Sequence, residues 1–181
     1  SKAKFIIGAN FGPYKTAEFL AVHKVFFQSF DDVCFRDVTS YNLFKDLGNV
    51  RVAPDVVFQL QLNKYTKIEK TVGFSVINLS ERSDLKEYTK EYYSMIKNLI
   101  KLYIKRDYKV YLFSFCKIQG DEKIIHEILG DLNKIEKSNV KKVFYNGNIN
   151  NFLSIYGKID KMYCTRFHSM ILSMIFGQKF Y

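Results

Sequence analysis

KVYLFSFCKIQGDEKIIHEILGDL, residues 109–132, is the stretch whose reading decides the fold. Val110, Tyr111, Leu112 and Phe113 follow one another without a polar break, the pattern of a strand that meets water on neither face. Gly120-Asp121-Glu122 then opens a helix reaching to about Ile135, with Ile124, Ile125, Ile128, Leu129 and Leu132 along one side. A strand buried on both sides and followed by an amphipathic helix is part of a βαβ arrangement, so a parallel sheet covered by helices is expected.

The same alternation continues in both directions. Downstream come a strand at 142–145, a short helix near 149–156, a strand at 161–164 and a helix at 166–176. Upstream, a strand at 72–77 precedes a long helix, with Leu85, Tyr88, Tyr92, Met95, Ile96, Leu99, Leu102 and Tyr103 on one face. Asp84 and Glu87 have the spacing of its capping box.

Nearer the start, a strand at 4–8, the loop Ala9-Asn10-Phe11-Gly12-Pro13 and a helix from Thr16 to about Gln28 form one unit. A strand at 32–35, a helix at 37–47 stopped by Gly48 and a strand at 50–52 form the next. The polar stretch 59–71, with Lys64, Lys67 and Lys70, reads as a domain connection. The expected fold class is therefore α/β with two parallel-sheet domains, residues 1–62 and 63–181. The first, with about three short strands, is expected to be incomplete. The second is expected to be nearly complete, with another strand starting at 178–181.

With 181 residues and 48% hydrophobic content, the chain can bury a core. No apolar run has the roughly 20 residues that cross a bilayer, and no secretory signal opens the chain, so a cytoplasmic protein is expected. Cys34, Cys116 and Cys164 lie far apart and read as small buried hydrophobes; no spacing suggests a metal site. The 28 Lys+Arg against 18 Asp+Glu give a net charge of +10. The lysines are scattered along helices rather than gathered in a block, which argues against nucleic acid as the partner.

Ligands of parallel α/β sheets gather beyond the C-terminal ends of the strands, which directs attention to the loops there. The strongest candidate is Thr165-Arg166-Phe167-His168, where a strand gives way to a helix. With Thr165 as N-cap, Arg166 and His168 stand in a first turn whose unpaired N–H groups and positive dipole end favour an anion. His168 adds a side chain that can take up or give up a proton. Asn10 and Gly12 sit in a glycine-containing loop through which backbone could approach a ligand. Arg36, beside Asp37 and Ser40, is placed to meet a phosphate or carboxylate. Asp121 and Glu122 are either helix-start residues complementing the dipole, or an acceptor for sugar hydroxyls or a charge partner across the cleft. His23 and His126 lie within helical stretches and rank lower.

Taken in order, IIGANFGP (6–13), CFRDVTSYNLF (34–44), APDVVF (53–58), GDEKII (120–125), YNGNINNFL (145–153) and TRFHSMILSMIFGQKFY (165–181) resemble the polysaccharide pyruvyl transferase family. The F-R-D-x-x-S and R-x-H segments are the most specific. The resemblance implies two Rossmann-like, GT-B-like domains facing a cleft, with the family's first strands and its last strand and helix missing here. It implies phosphoenolpyruvate as donor, no cofactor, and transfer of a pyruvyl group to hydroxyls of a sugar or lipid-linked oligosaccharide as a ketal. Arg166 would hold the donor's phosphate or carboxylate, Arg36 would be a second cation, and His168 would move the proton. A location at the cytoplasmic face, with peripheral contact to the inner membrane surface, goes with such an acceptor. Two rivals remain at this stage: a nucleotide-sugar glycosyltransferase of the same architecture, and a noncatalytic basic domain docking on anionic lipid or polymer.

Overall fold

The computed structural model describes residues 2–181 and divides between Gln61 and Leu62 into two compact units. In the first unit, strands β1 (Phe5–Ala9), β2 (Asp32–Phe35) and β3 (Val50–Val52) form a parallel sheet in the order β1-β2-β3. Helix α1 (Ala17–Gln28) is capped by Thr16, whose Oγ1 accepts from the Phe19 N–H at 3.2 Å. Helix α2 (Val38–Phe44) is capped by Asp37, which accepts from the Ser40 N–H at 2.7 Å. Both caps satisfy N–H groups that a helix start leaves unpaired. Phe27, Val33, Phe35, Phe44 and Leu47 form the core, with the Phe35 and Phe44 rings stacked at 5.5 Å.

The second unit contains β4 (Ile68–Ser75), β5 (Lys109–Ser114), β6 (Val140–Phe144), β7 (Ile159–Cys164) and β8 (Lys179–Phe180). All pairings are parallel and the spatial order is β6-β5-β4-β7-β8. From β4 the chain winds outward through β5 and β6, then returns to the other side of β4 for β7 and β8. That is the Rossmann order, and it puts the topological switch between β4 and β7. One face of the sheet packs Val72, Phe74, Val110 and Leu112 against Ile96 and Ile100 of α3 (Thr89–Lys105) and Ile124, Ile125 and Ile128 of α4 (Asp121–Gly130). The other packs Phe113, Ile159 and Met162 against Phe152 and Tyr156 of α6 (Ile149–Tyr156) and Leu172 of α7 (Phe167–Ile175). Gly73 permits this packing: a Cβ there would sit 2.8 Å from Phe113 Cε2 and collide with Met162 Sδ.

Several boundaries differ from the sequence expectations for local reasons. The Asp84–Glu87 capping box does not form, because a 3-10 turn at Lys86–Tyr88 intervenes and α3 begins at Thr89 without a side-chain cap. The helix expected to run from Asp121 to about Ile135 stops at Gly130. A second helix, α5 (Lys134–Ser138), starts under a capping box between Asn133 and Glu136. The strand expected at 72–77 lies at Ile68–Ser75, since β4 pairs with β7 from Ile68 onward. The anticipated strand at the end exists, as β8. No helix is long and apolar enough to cross a membrane among the described residues.

Candidate active site

The loops after β4, β5 and β7 enclose a cavity of about 810 Å³. Its walls come from Ile77, Leu79, Arg82 and Leu85 after β4, Phe115, Cys116 and Gln119 after β5, Thr165, Arg166, Phe167 and His168 after β7, and Tyr92 from α3. This is the switch point of the sheet, where neighbouring loops diverge and leave room for a ligand. The size suits a pocket for a small organic molecule.

Arg166 is placed by the way β7 ends. It serves as N-cap of α7 in extended conformation but makes no side-chain cap, and Thr165, expected in that role, is otherwise engaged. The Thr165 hydroxyl donates to the Ser75 carbonyl, and its N–H donates to Ser75 Oγ at 3.0 Å. The Tyr92 hydroxyl donates to Thr165 Oγ1 at 3.1 Å and accepts from the Ile77 N–H at 3.3 Å. These bonds lock the ends of β4 and β7 to the first turns of α3, which a free cap would not do. Burial raises the Tyr92 pKa, against the lowering effect of its hydrogen bond with Thr165, so the phenol stays a donor.

The Arg166 guanidinium donates to Gln119 Oε1 through Nη1 and to Asp121 Oδ1 through Nη2. Asp121 is fully buried, and its other oxygen accepts from the Phe115 and Cys116 N–H groups at 3.1 and 2.9 Å. Asp121 stands in the first turn of α4, as the helix-start reading has it, and it is also a charge partner, of Arg166. Its carboxylate turns back to cap the end of β5 and to hold Arg166. A buried carboxylate is tolerated there because an opposite charge and two backbone donors satisfy it. Gly120, at φ +78°, makes the turn that aims Asp121 inward, and a Cβ on it would press to 2.7 Å from Asn78 Nδ2. Arg166 Nε is buried without a partner.

His168, exposed in the first turn of α7, makes no hydrogen bond or ion pair among the described residues; its ring meets the edge of Phe167, centroids 5.5 Å apart. The N–H groups of that turn have no partner within the helix. Glu122 is half-buried in the first turn of α4 and is not among the residues lining the cavity. His126 is exposed, as its position off the apolar face suggested, with Nδ1 2.8 Å from the Glu122 carbonyl. Cys34 is buried, whereas Cys116 and Cys164 are partly exposed and Cys116 lines the cavity.

Arg36, Asn10 and Gly12 belong to the first unit, where they gather at the C-terminal edge of its sheet. Arg36, after β2, donates to Asp55 Oδ2 at 2.8 Å and to Asn10 Oδ1 at 3.0 Å. Asn10 follows β1 and Asp55 follows β3; Asp55 Oδ1 also accepts from the Val57 N–H at 3.0 Å. Gly12, two residues beyond Asn10, has φ +115°, a conformation that favours glycine. Ser40 takes the Phe11 N–H at 2.7 Å and pins this loop.

Sequence reasoning missed Arg82, Gln119, Tyr92 and Asp55 as site residues. Gln119 and Asp55 were detectable from their positions just beyond strand ends. Tyr92 was legible only as part of the apolar stripe of α3, and nothing marked Arg82.

No curated protein matches the sequence. Solved structures share the fold, among them two of TarM. The crystal structure of TarM superposes with a TM-score of 0.53 at 17% identity, covering 98% of this chain and 36% of that one. A point mutant of TarM from S. aureus, in complex with fondaparinux, alpha-GlcNAc-glycerol and UDP, does so with a TM-score of 0.52 at 16% identity and the same 98% and 36% coverage. This chain thus spans about a third of TarM's length, and what the two share is a fold of Rossmann-like, GT-B-like parallel-sheet units. The profile of the polysaccharide pyruvyl transferases matches residues 1–181, and the chain belongs to the polysaccharide pyruvyl transferase family.

Proposed function

We propose that the second unit binds phosphoenolpyruvate in the cavity at its switch point and that the protein transfers the pyruvyl group to two sugar hydroxyls as a ketal. The observation that carries this reading is the joint presence of Arg166 and His168 in one cavity, at a helix start that favours anions. Arg166, oriented by Asp121 and Gln119, holds an anionic group of the donor with its remaining N–H groups. His168 delivers a proton to the methylene carbon, and the first hydroxyl adds to the neighbouring carbon. The bond from that carbon to the phosphate oxygen then breaks, and the second hydroxyl closes the ketal. The protons balance: one of the two hydroxyl protons ends on the new methyl group and the other on inorganic phosphate. The acceptor is a sugar or lipid-linked oligosaccharide, a precursor of a cell-surface polysaccharide, and the reaction takes place at the cytoplasmic face of the membrane.

Phosphate release from phosphoenolpyruvate with a panel of simple and lipid-linked glycosides tests this reading. Acceptor-dependent release supports it. The second reading, a nucleotide-sugar glycosyltransferase, is favoured by the fold shared with TarM, one of whose structures holds UDP. Thermal stabilisation by UDP- or CMP-sugars without any by phosphoenolpyruvate would put that reading in its place.

A further inference from the structure

Arg166 cannot by itself supply the positive charge that a phosphorylated acid demands. Asp121 compensates it, and two of its donors are spent on Asp121 and Gln119. A phosphate monoester carries about −1.5 to −2 at pH 7, and a carboxylate adds to that. The cavity lining contains no carboxylate and one other guanidinium, that of Arg82. Arg82 makes no ion pair and no side-chain hydrogen bond among the described residues, and neither Glu81 nor Asp84, its neighbours in sequence, pairs with it.

The backbone under Arg82 is nevertheless fixed. It closes the 3-10 turn Leu79–Glu81, with its N–H donating to the Leu79 carbonyl at 3.0 Å and its carbonyl accepting from the Leu85 N–H at 3.1 Å. Asn78, almost fully buried, caps that turn through the Ser80 N–H at 3.1 Å and accepts from the Tyr93 hydroxyl at 3.0 Å. An arginine side chain without a charge partner among the described residues therefore lines the cavity from an anchored base, opposite in character to the compensated and clamped Arg166.

We infer that Arg82 is the phosphate-binding residue of this cavity and sets its selectivity for a ligand with a phosphate group. The inference rests on the donor site proposed above and assigns the work within it. Arg166, clamped and nearly neutral as a pair, orients the donor. Arg82, uncompensated and able to follow its ligand, neutralises the phosphate in the bound donor and again as it departs.

Calorimetric titration of the protein and its Arg82→Ala and Arg82→Lys variants with phosphoenolpyruvate and with inorganic phosphate tests the inference. Loss of one charge-assisted contact weakens binding by about 10- to 100-fold. Arg82→Ala should show this for both ligands and Arg82→Lys should recover most of it, because phosphate accepts a point charge. The melting temperature should stay put, as the side chain is exposed and makes no ion pair or hydrogen bond among the described residues. Unchanged affinity for inorganic phosphate in Arg82→Ala overturns the inference, as does failure of the unsubstituted protein to bind phosphate at all. Phosphate binding that depends on Arg82, without binding of phosphoenolpyruvate, upholds it and breaks only the donor reading.

Discussion

The two units hold an arginine by the same device and surround it differently. In the first, Arg36 after β2 is held by Asp55 and Asn10. In the second, Arg166 after β7 is held by Asp121 and Gln119. Each time a guanidinium at a strand end is gripped by a carboxylate that also accepts backbone N–H groups, and by a side-chain amide. The supports differ. Asp55 is 6% exposed, Asp121 is fully buried, and the side chain of Arg166 is half as exposed as that of Arg36, 12% against 25%. The setting differs too, since only Arg166 has a histidine two residues on, in the open first turn of the same helix. The device orients a cation; the chemistry depends on what stands beside it.

The sheets explain why one support is deeper. Five strands give the second unit central strands covered on both faces, so Val72, Phe74, Val110 and Leu112 are wholly buried. Three strands leave Phe5 and Ile7 of β1 and Val22 and Val25 of α1 more than half exposed. A loop at the end of β5 rests on a closed core, whereas the loops of the first unit rest on a thinner one.

If the comparison is right, the histidines should separate most sharply. His168→Ala is expected to lower turnover by about 10²- to 10⁴-fold with donor binding retained, the range for a positioned acid or base. His23→Ala, in the aromatic cluster of α1, should leave turnover near its starting value. Steady-state phosphate release measures both, and near-normal turnover in His168→Ala removes its assigned role.

Next come the two clamps. Asp121→Ala should cost about 3–5 kcal/mol in denaturant unfolding, because it strands a buried guanidinium and two N–H groups. Asp55→Ala, whose arginine reaches water more easily, should cost about 1–3 kcal/mol. Equal losses would erase the difference in depth.

A smaller effect sharpens the picture at the cavity wall. Tyr92→Phe should cost about 0.5–1.5 kcal/mol for the lost hydroxyl, and hydrogen exchange at the Ile77 amide should quicken. The smallest is a pH effect. Burial pushes the Tyr93 pKa up to about 12 from 10.0. The folded state favours the neutral phenol, so its contribution is complete below pH 10 and lost as the pH rises toward about 12. Tyr93→Phe should flatten that part of a stability profile, and an unchanged slope would place the titration elsewhere.

The strand-helix alternation and the parallel sheets were legible because each depends on local pattern. An unbroken run such as 110–113 must be buried on both faces, and an Arg and a His just past a strand must lie at the ligand edge of a parallel sheet. The element boundaries were misread for local reasons; at the site, polar side chains found partners distant in sequence. Thr165 resembles an N-cap until Ser75, ninety residues away, takes its hydroxyl and N–H. Asp121 is the helix-start acid that the sequence suggests, but that its charge partner is Arg166, 45 residues on, depends on the fold.

By itself, then, the sequence determined the α/β class, the parallel sheets and the strand ends where ligands gather, since periodicity of 2 or 3.6 residues and the burial of apolar runs are properties of neighbours along the chain. Only the tertiary structure decided that Arg166 is compensated and Arg82 is not, because whether a charge is balanced depends on what the fold packs against it from other strands.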